Sequence, residues 1–292
     1  LLDVLAAGAT PDPDDRMVLD MTIEQAGLLA YDEQNVARWR TYALVWLLVT
    51  QAFQVAPDAV GERHNNLIAP EKRMDALHLL ERWLDSQRLS KGLHEAILEA
   101  DRIAALGNDM GKATIKDGPF LSYAAERAIF ANTCANLAQQ SGRELLEALA
   151  SLNDDLQRHA QGFWSYKNSH SHQQAIPWEE VARLGAAVQM LLDAAPLKAW
   201  ANPGEAIAWY MKVGWRIDKA GEELLRNLNN PTPELLSIIT PLRQAYRARW
   251  EDYMIVWSEL WTAAGCPVPD LQSAGAWVTE LLKQSKRATA LI

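Results

Sequence analysis

Apolar residues recur along this chain at alternating spacings of three and four, and no stretch before residue 286 alternates over the length of a strand. The pattern is strongest between Asn202 and Gly265. Asn202 is placed to cap a helix, Pro203 suits its first turn, and Glu205 stands three residues beyond the cap. Ile207, Tyr210, Gly214, Ile217, Gly221, Leu224 and Leu228 then form one seam, with glycines where two backbones would approach closely. A turn at 229–233 leads into a return leg, which Thr240-Pro241 caps, kinks or restarts. Tyr246, Trp250, Tyr253, Trp257 and Leu260 repeat the spacing, predicting an aromatic stripe that faces the first leg until Gly265 and Pro267 stop it.

The rest of the chain reads as further helices. Residues 1–20 contain Pro11-Asp12-Pro13-Asp14-Asp15, an acidic stretch expected to be loose. Asn35 to Ala56 is a helix that turns Val36, Trp39, Ala43, Trp46, Leu47 and Phe53 toward a core. Others are expected from Pro70, from Leu93 to Leu106 (ended by Gly107), from Pro119 to about Gln140, from Arg143 to about Tyr166, and from Pro177 to Asp193. A last helix is expected over Leu271 to Ser285, with a β-like end at Arg287 to Ile292. The fold class is all-α: a multi-helix bundle with a long C-terminal helical hairpin. The irregular stretch from Gly107 to Gly118 divides it into an acidic subdomain, 1–118, and a second, 119–292.

Composition narrows the function. The chain has 292 residues and a net charge of −9, concentrated in residues 1–150, where 22 acidic side chains face 14 basic ones. Such a half is poor material for a phosphate-backbone site, so nucleic acid is not the expected partner. Cys134 and Cys266 have neither disulfide nor zinc spacing and read as reduced thiols. The most apolar run, Tyr42 to Val49, falls far short of the roughly 20 residues a bilayer requires. With no signal-peptide pattern visible, a cytoplasmic location is expected. The opening Leu1-Leu2, without methionine, suggests a fragment or processed product.

Candidate chemistry is sparse. The run from Gly107 to Thr114 has three residues between its glycines and Ala113 after Lys112. A phosphate loop needs four residues there, a Ser or Thr after the lysine, and a preceding strand. His170 and His172 are two residues apart but have no third ligand at metal spacing; His64, His78, His94 and His159 are isolated and read as surface or satisfied packing. Five of the 12 tryptophans lie between Trp209 and Trp261, at helical spacing that favours packing over base stacking. Asp218 is expected to pair with a basic residue of the return leg, such as Arg243 or Arg247. No catalytic residue, cofactor site or metal site is assigned, although an enzyme with a buried acidic site hidden from sequence spacing is a weaker alternative. The candidate interaction residues are Glu95, Glu99 and Asp101, on a face that also carries Glu71, Asp75, Glu81 and Asp85.

The segment from Ala208 to Ala220, with Tyr210 ahead of Trp215-Arg216-Ile217-Asp218 and then Ala220, resembles the helix that precedes the phosphatase-like core of PglZ-family proteins. The order of the following parts is similar too: a second long helix from Leu242 to Trp261, the turn Ala264 to Pro267, Trp277 in a short helix, and Lys286-Arg287 leading into an apolar end. The resemblance covers roughly the last 90 residues. It implies the helical region ahead of an alkaline-phosphatase-like domain of bacteriophage exclusion (BREX) or phage growth limitation systems. The chain stops at Ile292, ahead of the first metal-binding aspartate in the family's order, so none of the family's catalytic or metal-binding residues falls within it. It implies a non-catalytic scaffold whose partners are other defence proteins, such as a methyltransferase or small accessory components, with no membrane. A free-standing helical adaptor is the alternative.

Overall fold

The computed structural model describes residues 1–7, 11–61, 65–86, 92–165, 175–194, 200–228 and 231–265, and every regular element among them is helical. The chain is an all-α, multi-helix protein. Its apolar run forms α3 (Val36–Val55), started by Asn35, whose side chain accepts from the Arg38 amide. Leu44, Val45, Leu47, Leu48, Val49 and Ala52 are all buried, so α3 is apolar nearly all round and sits inside the core. Against it pack α1 (Leu2–Ala7), the single turn α4 (Pro57–Val60), α5 (Arg73–Leu84) and α6 (Leu93–Ala104). Around the stretch expected to be loose, residues 1–20 contain α1 and the first half of α2 (Arg16–Gln25). The acidic proline run makes only a short 3-10 turn, Pro13–Asp15, between them. Val4, Leu5, Leu19 and Ile23 are buried in the core, which outweighs the unfavourable local composition. Arg40 Nε also donates to the Leu5 carbonyl at 2.7 Å.

In the second half, α10 (Trp178–Asp193) is the central helix, flanked by α8 (Gly142–Ser151), α9 (Asn153–Ala160) and α12 (Trp215–Leu225). The single helix expected from Arg143 to Tyr166 is therefore two, with a break at Leu152. α7 (Tyr123–Ala138) begins four residues later than Pro119, because Ser122 caps it by accepting from the Ala125 amide. α6 stops at Ala104, where Ala105 itself takes the left-handed conformation that sequence gave to Gly107. The boundary expected at Gly118 is crossed by the contact of α6 with α7, and one apolar cluster runs through both halves.

The hairpin begins with α11 (Pro203–Trp209), where Asn202 Oδ1 accepts from the Glu205 amide, as expected. A five-residue π turn, Tyr210–Gly214, separates it from α12. The return leg, α13 (Pro233–Ala263), is continuous through Pro241. A π turn inserts one residue into the helical repeat, so the seam before it shifts by one position. The structure buries Pro203 and Ala206 rather than Ile207 and Tyr210, while Gly214, Ile217, Gly221 and Leu224 keep the expected places. α13 lies along α7, α8 and α12. Its close approach to α12 needs glycine at 221: a Cβ there would lie 2.1 Å from the Tyr246 hydroxyl. Gly221→Ala is expected to lower stability by about 1–3 kcal/mol through overpacking. Gly214→Leu should act the same way, because a Cβ there would meet the Trp209 ring at 2.5 Å. Urea midpoints unchanged in both variants would contradict this packing.

Candidate functional site

Two features concentrate polar or exposed chemistry: a buried joint around residues 115–126 and the outer surface of the hairpin. In the joint, His159 on α9 and Glu126 on α7 are buried together, with Nδ1 2.6 Å from Oε1. His159 Nε2 lies 2.9 Å from the Ile115 carbonyl. A carbonyl only accepts, so Nε2 carries a hydrogen, and a second proton is shared between Nδ1 and the carboxyl. Glu126 Oε2 accepts from the Phe120 amide at 2.8 Å. Gln51 on α3 brackets the same loop, donating to the Pro119 carbonyl and accepting from the Leu121 amide. Trp164 Nε1 donates to the Leu121 carbonyl at 2.8 Å. Gly118 fits because a Cβ there would sit 2.6 Å from the His159 ring. Both nitrogens of the imidazole are committed and the pair has no solvent contact. It ties α7 and α9 to the loop, and it leaves no imidazole nitrogen free to act on a substrate.

The sequence-derived acidic residues divide. Glu95 and Glu99 are exposed on α6. Asp101 is buried, and its Oδ2 accepts from the Ala124 amide at the start of α7. Burial pushes the Asp101 carboxyl above the usual carboxylate range, opposed by hydrogen bonds from Ser122 and from the amides of Ala124 and Tyr123. Asp101 is thus a capping residue and no part of an exposed face. The only described cysteine, Cys134, is also buried, and desolvation, helped by the charge of Glu234, pushes its thiol up to about 12. A thiol held there is not a thiolate at neutral pH. Among the described residues no three His, Cys, Asp or Glu side chains converge as metal ligands. His170 and His172 lie outside the described residues, as do Cys266, the helix expected at Leu271 to Ser285 and the chain end.

On the hairpin, Tyr246 and Tyr253 are buried, and the Tyr253 hydroxyl donates to the Ala194 carbonyl at 3.0 Å. Trp257 packs at the edge of an aromatic cluster, 5.7 Å from Trp200, which in turn lies 4.9 Å from Trp209. Trp250 is different: it is 40% exposed. At 100° per residue the buried stripe of α13 is centred on Leu242, Arg249 and Tyr253, and Trp250 points about 80° away from that centre. Arg249 occupies the central place instead, its guanidinium 5.2 Å from the Tyr253 ring centre. Trp250→Ala is accordingly expected to cost only about 1 kcal/mol. Tyr253→Ala should cost clearly more in the same denaturant titration, and equal losses would place both rings in the core. Asp218 does not pair with the return leg. It accepts from the Tyr210 hydroxyl across the π turn, and that bond pushes the phenol up to about 12. Arg243 instead donates to the carbonyls of Leu224, Leu225 and Arg226, capping the end of α12.

What remains outside the seam is the candidate site. Among the described residues, eight of the 13 exposed large apolar side chains lie between Tyr210 and Ile255, including Met211, Trp215, Trp250, Met254 and Ile255. That concentration marks the hairpin, rather than the acidic face of α6, as the surface with unspent apolar area. Sequence spacing hid it because the aromatic residues share a helical period with the core. It also hid the His159–Glu126 pair, whose members are 33 positions apart with no motif between them.

Fold and surface together define a multi-helix protein whose hairpin exposes several aromatic, methionine and aliphatic side chains. Comparison with protein-family models, curated proteins and solved structures gave no match.

Proposed function

We propose that this chain is a non-catalytic helical scaffold of a PglZ-like phage-defence protein. In this reading it positions a metal-dependent alkaline-phosphatase-superfamily domain that is not in this chain, and it docks other proteins of the system through the hairpin. The observation that carries the interaction role is the exposed set Met211, Trp215, Trp250, Met254 and Ile255 on the hairpin. The resemblance of Ala208 to Ala220 carries the family. Exposed methionine and tryptophan adapt to a partner and contribute large contact areas, which suits docking better than chemistry. No cofactor is assigned, and a cytoplasmic setting is part of the proposal; among the described residues no helix is long and apolar enough to cross a membrane. The same face would serve a free-standing adaptor unrelated to defence. Reading the parent gene beyond Ile292 separates the two. An aspartate soon after, followed by alternating strands and helices, supports the defence protein, while a stop codon or an unrelated domain refutes it. The docking role is tested by co-expressing the full chain with its operon neighbours. Trp215→Lys with Met254→Lys should abolish co-elution and leave the helical spectrum unchanged; retained co-elution would refute the role.

A further inference from the structure

A pocket of about 490 Å³ opens between the first two turns of α8, the end of α10 and the middle of α13. On α13 it is lined by Ala245, Ala248, Arg249 and Asp252, whose spacings of three and four put them on one face of the helix, apart from Trp250 and Met254. Leu146 on α8 and Leu192 on α10 supply an apolar wall, and the two alanines opposite leave room beside it. Arg143 and Glu147 also line the pocket and neutralise each other, with Nε 2.6 Å from Oε1.

Two charges in the lining are left over. Arg249 and Asp252 make no ion pair with each other or with any other described residue. Arg249 holds the central place in the buried stripe of α13, where a guanidinium without an acid calls for an explanation; its neighbour is the Tyr253 ring. It is only half-buried and Asp252 is exposed, so both can be reached from the pocket. Side chains three positions apart on a helix stand about 5–6 Å apart at their Cβ atoms. A free amino acid carries its carboxylate and its ammonium on a single carbon and so matches two such neighbours, whereas a peptide separates its charged ends. A simple anion or a simple cation would each meet one charge of its own sign. The volume falls in the range of small-molecule sites, which are mostly apolar with a few orienting polar groups. We propose that this pocket binds a free α-amino acid with an apolar side chain, its carboxylate on Arg249, its ammonium on Asp252 and its side chain against Leu146 and Leu192.

The test uses the full chain in ligand-observed NMR titrations with L-leucine and two analogues, 4-methylpentanoate, which lacks the ammonium, and 3-methylbutylamine, which lacks the carboxylate. Leucine should bind saturably at one site, and each analogue more weakly by about tenfold or more, the worth of a charged hydrogen bond. Arg249→Gln should weaken leucine by a similar factor. Asp252→Asn, at an exposed position that should leave the fold intact, should weaken leucine by about threefold to tenfold and leave 4-methylpentanoate unchanged or tighter, since it removes a repelling charge. Ala248→Tyr, also at an exposed position, should block the pocket and abolish leucine binding. The proposal is overturned by absence of saturable leucine binding, by leucine affinity unchanged in Asp252→Asn or in folded Arg249→Gln, by an analogue that binds as tightly as leucine, or by binding that survives Ala248→Tyr.

Discussion

Glu126→Ala should destabilise the protein by about 3–5 kcal/mol, the cost of leaving one member of a buried pair without its partner. The loss has three parts. His159 keeps a buried Nδ1 with no partner, the Phe120 amide loses its acceptor, and a cavity opens beside α9. Glu126→Gln should cost far less. Its carbonyl oxygen still accepts from Phe120, its NH₂ donates to a neutral Nδ1, and Nε2–H still reaches the Ile115 carbonyl. Urea titrations of the two variants check this. Equal losses would show that the carboxylate charge, rather than completion of the hydrogen bonds, holds the joint.

The second large effect is expected at Asp101. Asp101→Lys places an ammonium among the amide donors at the start of α7 and should cost about 3–5 kcal/mol or prevent folding. Glu95→Lys with Glu99→Lys, six and two residues earlier on the exposed side, should stay within about 0.5 kcal/mol each. Asp101 also leaves a signature in pH. Its folded carboxyl is raised above the unfolded value of 3.8, so the ionised form is less favourable in the fold than in the unfolded chain. As pH falls through the folded value toward 3.8, the fold takes up the proton first and that cost is relieved. Wild type should therefore gain stability relative to Asp101→Asn on acidification, and a constant difference between them would contradict this assignment.

These two sites show where sequence reasoning runs out. Helix period located α3, α10 and the hairpin legs, because each buries a continuous apolar stripe that propensity and capping support. It placed Asp101 on the solvent face because an amphipathic pattern assigns charge outward. The partner that draws Asp101 inward is the first turn of α7, more than 20 residues later. The π turn at Tyr210–Gly214 was equally invisible. One extra residue in a turn leaves the composition unchanged and only shifts the phase, which is why Tyr210 moved from seam to surface. The aromatic stripe was legible as a stripe. Which of its rings face solvent depended on Arg249 taking the central position, and a polar residue in a seam carries no local signal.

The role assigned to the chain depends on whether partners meet the hairpin. Hydrogen–deuterium exchange of the full chain, with and without the purified products of its neighbouring genes, tests this most directly. The expected result is protection on binding confined to the backbone around Tyr210–Trp215 and Trp250–Ile255, with α6 near Glu95 and Glu99 unchanged. Binding that protects α6 and leaves the hairpin exchanging at its free rate would contradict the account.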